Sequence, residues 1–192
     1  MLAQKVKFIH MADGTAEDYR IIAAGIHRAA DHLADDVLAL LQATEANDMG
    51  YQVDRLEHSL QSATLAFRDG RDEETVISAL LHDVGDTLAP WNHAEVAAAI
   101  LKPYVSETTH WIVAKHALFQ TYYYNHHFGR DRNARDRYRG HPHYQACADF
   151  CEKYDQNAFD PNFDTMPLSA FEPMVRRLFE RAPNRDLAAH DA

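Results

Sequence analysis

The run Ala79-Leu80-Leu81-His82-Asp83-Val84-Gly85-Asp86 decides how this chain is read. An apolar stretch delivers an imidazole and a carboxylate side by side, and both are good ligands for a divalent metal. Adjacent residues on an α-helix point about 100° apart. His82 and Asp83 therefore share one metal only if the helix ends there, or else the pair faces a two-metal site. Gly85 permits the ending, because glycine takes positive φ at little cost. Taken alone, the octapeptide equally fits a buried helix whose last turn carries two solvated polar residues.

Upstream, Asp72 reads as the N-cap of the helix that carries this run, with Glu73 and Glu74 in its first turn, where the macrodipole favours them. Before it, Val53, Leu56, Leu60, Ala63 and Phe67 mark the apolar stripe of another helix, closed by Asp69-Gly70. His58 lies between Leu56 and Leu60 and points inward with them. A buried imidazole needs a partner, either a hydrogen bond or a metal. Further back, Thr15 and Asp18 make a capping-box start. Tyr19, Ile22, Ile26, Ala29 and Ala30, then Leu33, Val37, Leu38 and Leu41, recur at helical spacing over 15–43. This is one long helix or two meeting near His32. His27 and His32 share no face and read as surface or outer-layer residues. Met1 to Gly14 carries no clear signal.

Downstream, Asn92 can cap a helix from His93 to Leu101, and Ser106 with Thr109 opens another that carries Trp111, His116 and Phe119 into Tyr122-Tyr123-Tyr124. Residues 125–143 form a polar excursion with His126, His127, His141, His143 and five arginines (130, 132, 135, 137 and 139). A short helix near Arg132 to Arg137 fits it, and so does a role as a lid. Its histidines read as loop residues that could shuttle protons or hold the excursion closed. A helix from Pro142 to Asp155 and a last one over 168–181 complete the chain, with a mobile polar tail from Pro183. No segment alternates like a strand. The reading is all-α, as one domain over 1–192 with its core at about 53–155.

Composition narrows the classes. Apolar residues make up 46% and charged residues 25% of 192, ordinary for a soluble domain. The net charge of −10 disfavours a phosphate backbone as partner, so nucleic acid is discounted. Two cysteines, Cys147 and Cys151, make no disulfide framework or zinc ribbon and read as free thiols on one helix face. No run has the roughly 18 apolar residues of a membrane span, and the start has no signal-peptide core. These features place the chain in the cytoplasm. Thirteen histidines are the compositional pointer to a metal.

Histidines inside apolar stripes or at helix ends are His58, His82, His93 and His116. Asp83 and Asp155 sit at two helix C-terminal ends, where the dipole disfavours a carboxylate unless a positive charge compensates. Four imidazoles and two carboxylates suit two first-row metals bridged by one aspartate. One metal would take His58, His82, Asp83 and Asp155. The other would take Asp83 as bridge, with His93 and His116.

The pattern His58, His82-Asp83, Asp155 resembles the HD-domain superfamily over about Val53 to Asp155. With His93 and His116 added, the 24-residue step from His58 to His82 and the 23-residue step from His93 to His116 resemble the branch of mixed-valent di-iron oxygenases. That branch contains myo-inositol oxygenase and the phosphonate-cleaving HD enzymes. The resemblance implies a helical bundle around a dinuclear site, an Fe2+/Fe3+ pair, and O2-dependent cleavage of a C–C or C–heteroatom bond in a small hydroxylated metabolite, with Asp83 as bridge. Mn2+ or another divalent metal, in a two-metal phosphohydrolase acting on a phosphate ester or nucleotide, is the alternative. A non-catalytic, metal-stabilised binding domain is a lesser one.

Departures from the branch matter. Gln120 and Glu152 stand where phosphonate-cleaving relatives carry Lys and Arg, so the basic clamp is missing unless the arginine-rich excursion supplies it. Asp86 stands where cyclic-dinucleotide-cleaving HD enzymes and inositol oxygenase carry Lys. Tyr51 stands where phosphonate-cleaving relatives carry a Glu that shapes the site, and it could cover an open coordination position. Trp111 and Tyr122 to Tyr124 are either core or an aromatic cage for a quaternary ammonium. Glu57 reads as a surface or outer-layer carboxylate.

Overall fold

The computed structural model describes residues 4–184, and these contain eight α-helices and no strand. The helices are α1 Ala16–Ala30, α2 Leu33–Gln42, α3 Arg55–Arg68, α4 Glu73–Leu81, α5 His93–Leu101, α6 Glu107–Tyr124, α7 Tyr144–Lys153 and α8 Leu168–Phe179. Four helices are capped by side chains, three at the expected residues and α3 at Asp54, which the sequence reading does not single out. Thr15, Asp54, Asp72 and Ser106 each accept the N–H three residues on, and Thr15 with Asp18 closes a full capping box. Asn92 makes no such bond, so α5 begins without a side-chain cap.

The core is the buried faces of α2 to α8, with Leu41, Ile77, Leu80, Leu81, Leu101, Phe119, Phe171 and Leu178 fully enclosed. Helix α3 pairs with α4, and α6 lies between α5 and α7. Helix α3 is buried on nearly every side although it is rich in polar residues. Its inner surface holds the chain that follows α7. Gln61 Nε2 donates to Asp160 O at 2.7 Å, Asp160 N–H donates back to Gln61 Oε1 at 3.2 Å, and Met166 N–H donates to Thr64 Oγ1 at 3.1 Å. Glu57 belongs to the same network, accepting from Gln61 at 2.9 Å and from the Thr165 hydroxyl. Such a face is hydrogen-bonded rather than apolar because irregular backbone lies on it, and buried backbone groups need partners.

Of the two readings of 15–43, the structure takes the one with two helices, meeting at Asp31-His32. Several other expectations change. No residue of α1 is buried, and Tyr19 and Ile26 are exposed, because the core lies against α2 and not α1. Phe67 is also exposed, on the outer side of α3. Helix α7 starts two residues after Pro142 and stops before Asp155, which lies in a 3₁₀ turn over Asp155–Asn157. The last helix stops at Phe179, two residues short of the expected Arg181. The excursion contains two 3₁₀ turns, Asn125–Phe128 and Ala134–Tyr138, and folds back on α6. His141 stacks on Trp111 at 4.4 Å, so it does hold the excursion down. The tail expected to be mobile from Pro183 is tied at Asn184, whose N–H donates to Pro103 O and whose Nδ2 donates to Val105 O at 2.9 Å. Residues 185–192 of that tail lie outside the described residues.

Candidate metal centre

The six residues singled out from sequence come together. His58 projects from the first turns of α3, His82 and Asp83 from the end of α4, His93 from the start of α5, His116 from the middle of α6 and Asp155 from the turn after α7. All are buried except His93, whose side chain is 21% exposed. The two oxygens of Asp83 divide between the histidines. Oδ2 lies 3.3 Å from His58 Nε2 and 3.2 Å from His82 Nε2, while Oδ1 lies 3.2 Å from His93 Nε2 and 3.1 Å from His116 Nε2. Asp155 Oδ1 is 3.4 Å from His58 Nε2 and 3.7 Å from His82 Nε2.

Gly85 makes this possible, but not by the backbone conformation expected of it. Positive φ among the glycines occurs at Gly50, Gly70 and Gly129 only. A Cβ at Gly85 would lie 2.6 Å from His93 O and 2.9 Å from Val96 Cβ. The glycine is there so that the first turn of α5, with His93, packs directly on the turn that follows His82-Asp83.

The hydrogen bonds fix the tautomers. His58 Nδ1 faces Ala158 O at 3.0 Å, His82 Nδ1 faces Ala79 O at 2.7 Å and His116 Nδ1 faces Val113 O at 2.7 Å. A carbonyl only accepts, so each Nδ1 carries the proton and each Nε2 presents a lone pair. His93 Nδ1 faces the Asp86 carboxylate at 3.0 Å, with the same result. Bare Nε2 atoms of His58 and His82 thus face each other at 3.2 Å, and others face carboxylate oxygens, with no proton between them. Asp155 Oδ2 is buried without a hydrogen-bond partner. Lone pairs converging in this way repel unless a cation lies among them, so the donor set fits a divalent metal. Burial reinforces it. Desolvation pushes His82 and His116 down to about 4 and also lowers His58, so these rings stay neutral and ligand-ready. Burial alone would raise Asp155, but once low pH protonates His82 and His58 their charge holds it well below the usual carboxylate range.

The centre opens into a cleft of about 590 Å³ that touches Asp83, His93, His116 and Asp155 but not His58 or His82. Aromatic rings dominate its remaining wall, from Tyr51, Tyr123, Tyr124, Phe128 and Phe159, alongside Gln120 and Gln156. Tyr51 reaches the centre only indirectly, stacking on Phe159 at 4.6 Å, while Phe159 stacks on His58 at 4.4 Å. Gln120 lies on the wall with its Oε1 buried and unpaired. Trp111 and Tyr122 do not line the cleft. Trp111 packs against Phe119, Tyr138 and His141, and Tyr122 lies under Arg132 and Arg135. None of the excursion's five arginines reaches the cleft either, and Phe128 is the one excursion residue on its wall.

Two more charged residues join the site: Arg55, which the sequence reading passes over, and Asp86, which it marks only as a departure where relatives carry Lys. Arg55 is buried beside the centre, with Nε 2.7 Å from Asp86 Oδ2 and Nη2 against Asp83 Oδ2. Asp86 is buried too. Burial raises its carboxyl, but the His93 bond and the Arg55 charge prevail and hold it below the usual range. Arg55 is the first residue of α3, three before His58, and Asp86 is three after Asp83, a spacing that was available as a signal. Phe159 and Gln61 were also unforeseen. Behind His116, the Cys151 thiol lies 3.6 Å from His116 O and both cysteines are free and buried, joining α7 to α6 by packing.

No curated protein matches this chain. The sequence profile of the HD domain matches residues 55–156, just over half the chain, from Arg55 beside Asp83 to the residue after Asp155. With its His…His-Asp…Asp residues gathered at one buried centre between helices, the chain belongs to the HD-domain family.

Proposed function

We propose that this protein is a di-iron oxygenase, in which the centre holds an Fe2+/Fe3+ pair, with His58, His82, Asp83 and Asp155 on one side and Asp83, His93 and His116 on the other. Such a pair supplies O2 activation for cleavage of a C–C or C–heteroatom bond. The chain's own residues bind and orient. Asp83 and His116 face the cleft, so a small hydroxylated substrate is received on the His93 side. Gln120 offers an unpaired amide oxygen to a substrate hydroxyl, and Tyr51, Tyr124, Phe128 and Phe159 shield the reacting group from water.

One observation carries the preference for a substrate without a phosphate. Among the described residues, Arg55 is the one cationic side chain on the cleft wall, and Asp83 and Asp86 already occupy it. A phosphate ester or nucleotide would find no free positive side chain there. The test uses protein reconstituted with iron without air, then supplied with O2 and a panel of small hydroxylated metabolites. The expected result is a mixed-valent EPR signal and substrate-dependent oxygen uptake. Manganese-dependent phosphate release from phosphate esters, with no oxygen uptake, would replace this reading with the hydrolase.

A further inference from the structure

We propose that Asp86, held in place by Arg55, is a positioning residue that acts on one half of the centre, setting His93 as its most strongly donating imidazole. The inference rests on the two-metal reading above. Three of the four histidines are fixed through Nδ1 by neutral backbone carbonyls at 2.7–3.0 Å. His93 is the exception. Its nearest carbonyl, Pro90 O, is at 3.4 Å, and the Asp86 carboxylate at 3.0 Å takes that place. His93 is also the least buried of the four and sits at the start of a helix whose Asn92 makes no capping bond. It has the most freedom to turn and is given the strongest anchor. A carboxylate behind a ligating imidazole fixes its orientation and raises its basicity, which a carbonyl does less well.

Arg55 completes the device. A buried Asp86 would otherwise carry an uncompensated charge. The guanidinium reaches Asp86 through Nε and Asp83 through Nη2, on the Oδ2 side of Asp83. One planar group thereby sets the angle between the carboxylate that orients His93 and the carboxylate that divides between the two histidine pairs. A buried ion pair of this kind is weak as a source of stability, so its role is sought in geometry.

The experiment is an anaerobic titration of the full-length metal-free protein with Co2+, read by its visible absorption and by bound metal per chain, which separates it from any oxygenase assay. Wild type should bind two equivalents. Asp86→Ala should weaken one of the two by roughly 10- to 100-fold and leave the other unchanged. Asp86→Asn, which retains an acceptor but loses the charge, should fall between. Both Asp86 variants leave Arg55 paired with Asp83, so no buried charge is orphaned, and both should keep the wild-type circular dichroism. In a His93→Ala background, Asp86→Asn should have no further effect. Unchanged affinities in Asp86→Ala, or equal weakening of both equivalents, would overturn this inference alone. A single equivalent in wild type would overturn the two-metal reading and this inference with it.

Discussion

Asp83 is the residue on which both halves of the centre depend, because each of its oxygens faces a different pair of imidazoles. Asp83→Ala should therefore abolish binding of both metals, whereas His93→Ala should cost one, as measured by metal analysis of anaerobically purified protein. Gly85 gives a second prediction at this scale. A methyl group there would meet His93 O at 2.6 Å, and that atom is backbone, which cannot rotate aside. Gly85→Ala should destabilise by about 1–3 kcal/mol, the usual cost of overpacking. It should also weaken metal binding, since the atom displaced belongs to a ligand residue. Chemical denaturation and a metal titration check the two parts separately.

The helices contribute unequally. Helix α2 inserts Leu41, fully enclosed, into the core, whereas α1 buries nothing. Leu41→Ala should cost about 2–5 kcal/mol, while Ile26→Ala on α1 should change stability by less than about 0.5 kcal/mol; thermal melts of the two variants decide it. This contrast was not readable from sequence, since both helices show an apolar stripe at the same spacing, and the stripe does not say whether a neighbour lies beside it. Where a polar residue interrupts a buried stripe, the sequence was more telling. His58 between Leu56 and Leu60, and His82 after Ala79-Leu80-Leu81, announced themselves by being out of place. Arg55 did not, because an arginine in the first turn of a helix reads as solvated, and the carboxylates that hold it lie 28 and 31 residues away. Helix α6 hid its geometry for another reason. With α5 on one side and α7 on the other, it carries apolar and aromatic residues all round. No pattern separated Tyr123 and Tyr124, which face the cleft, from Trp111 and Tyr122, which do not.

At the scale of the whole molecule, the centre ties stability to pH. His82 and His116 are held near 4 by burial, against an ordinary value of 6.5. Between those values the unfolded chain takes up protons that the folded chain refuses, so the metal-free protein should lose stability as pH falls from about 6.5 towards 4. Asp155, held low in the folded state, adds a contribution of the same sign that is lost as pH falls through its own range. Melting chelator-treated protein at several pH values should show the midpoint flat above pH 7 and dropping below 6.5. The termini of this arrangement matter in a different way. Asn184 clips the segment after α8 to Pro103 and Val105, in the turn that joins the His93 helix to the His116 helix. A fusion partner joined after residue 184 leaves that clip in place. Trimming by a carboxypeptidase past the same point would release the turn, so damage to the metal centre would begin at a residue far from it in sequence.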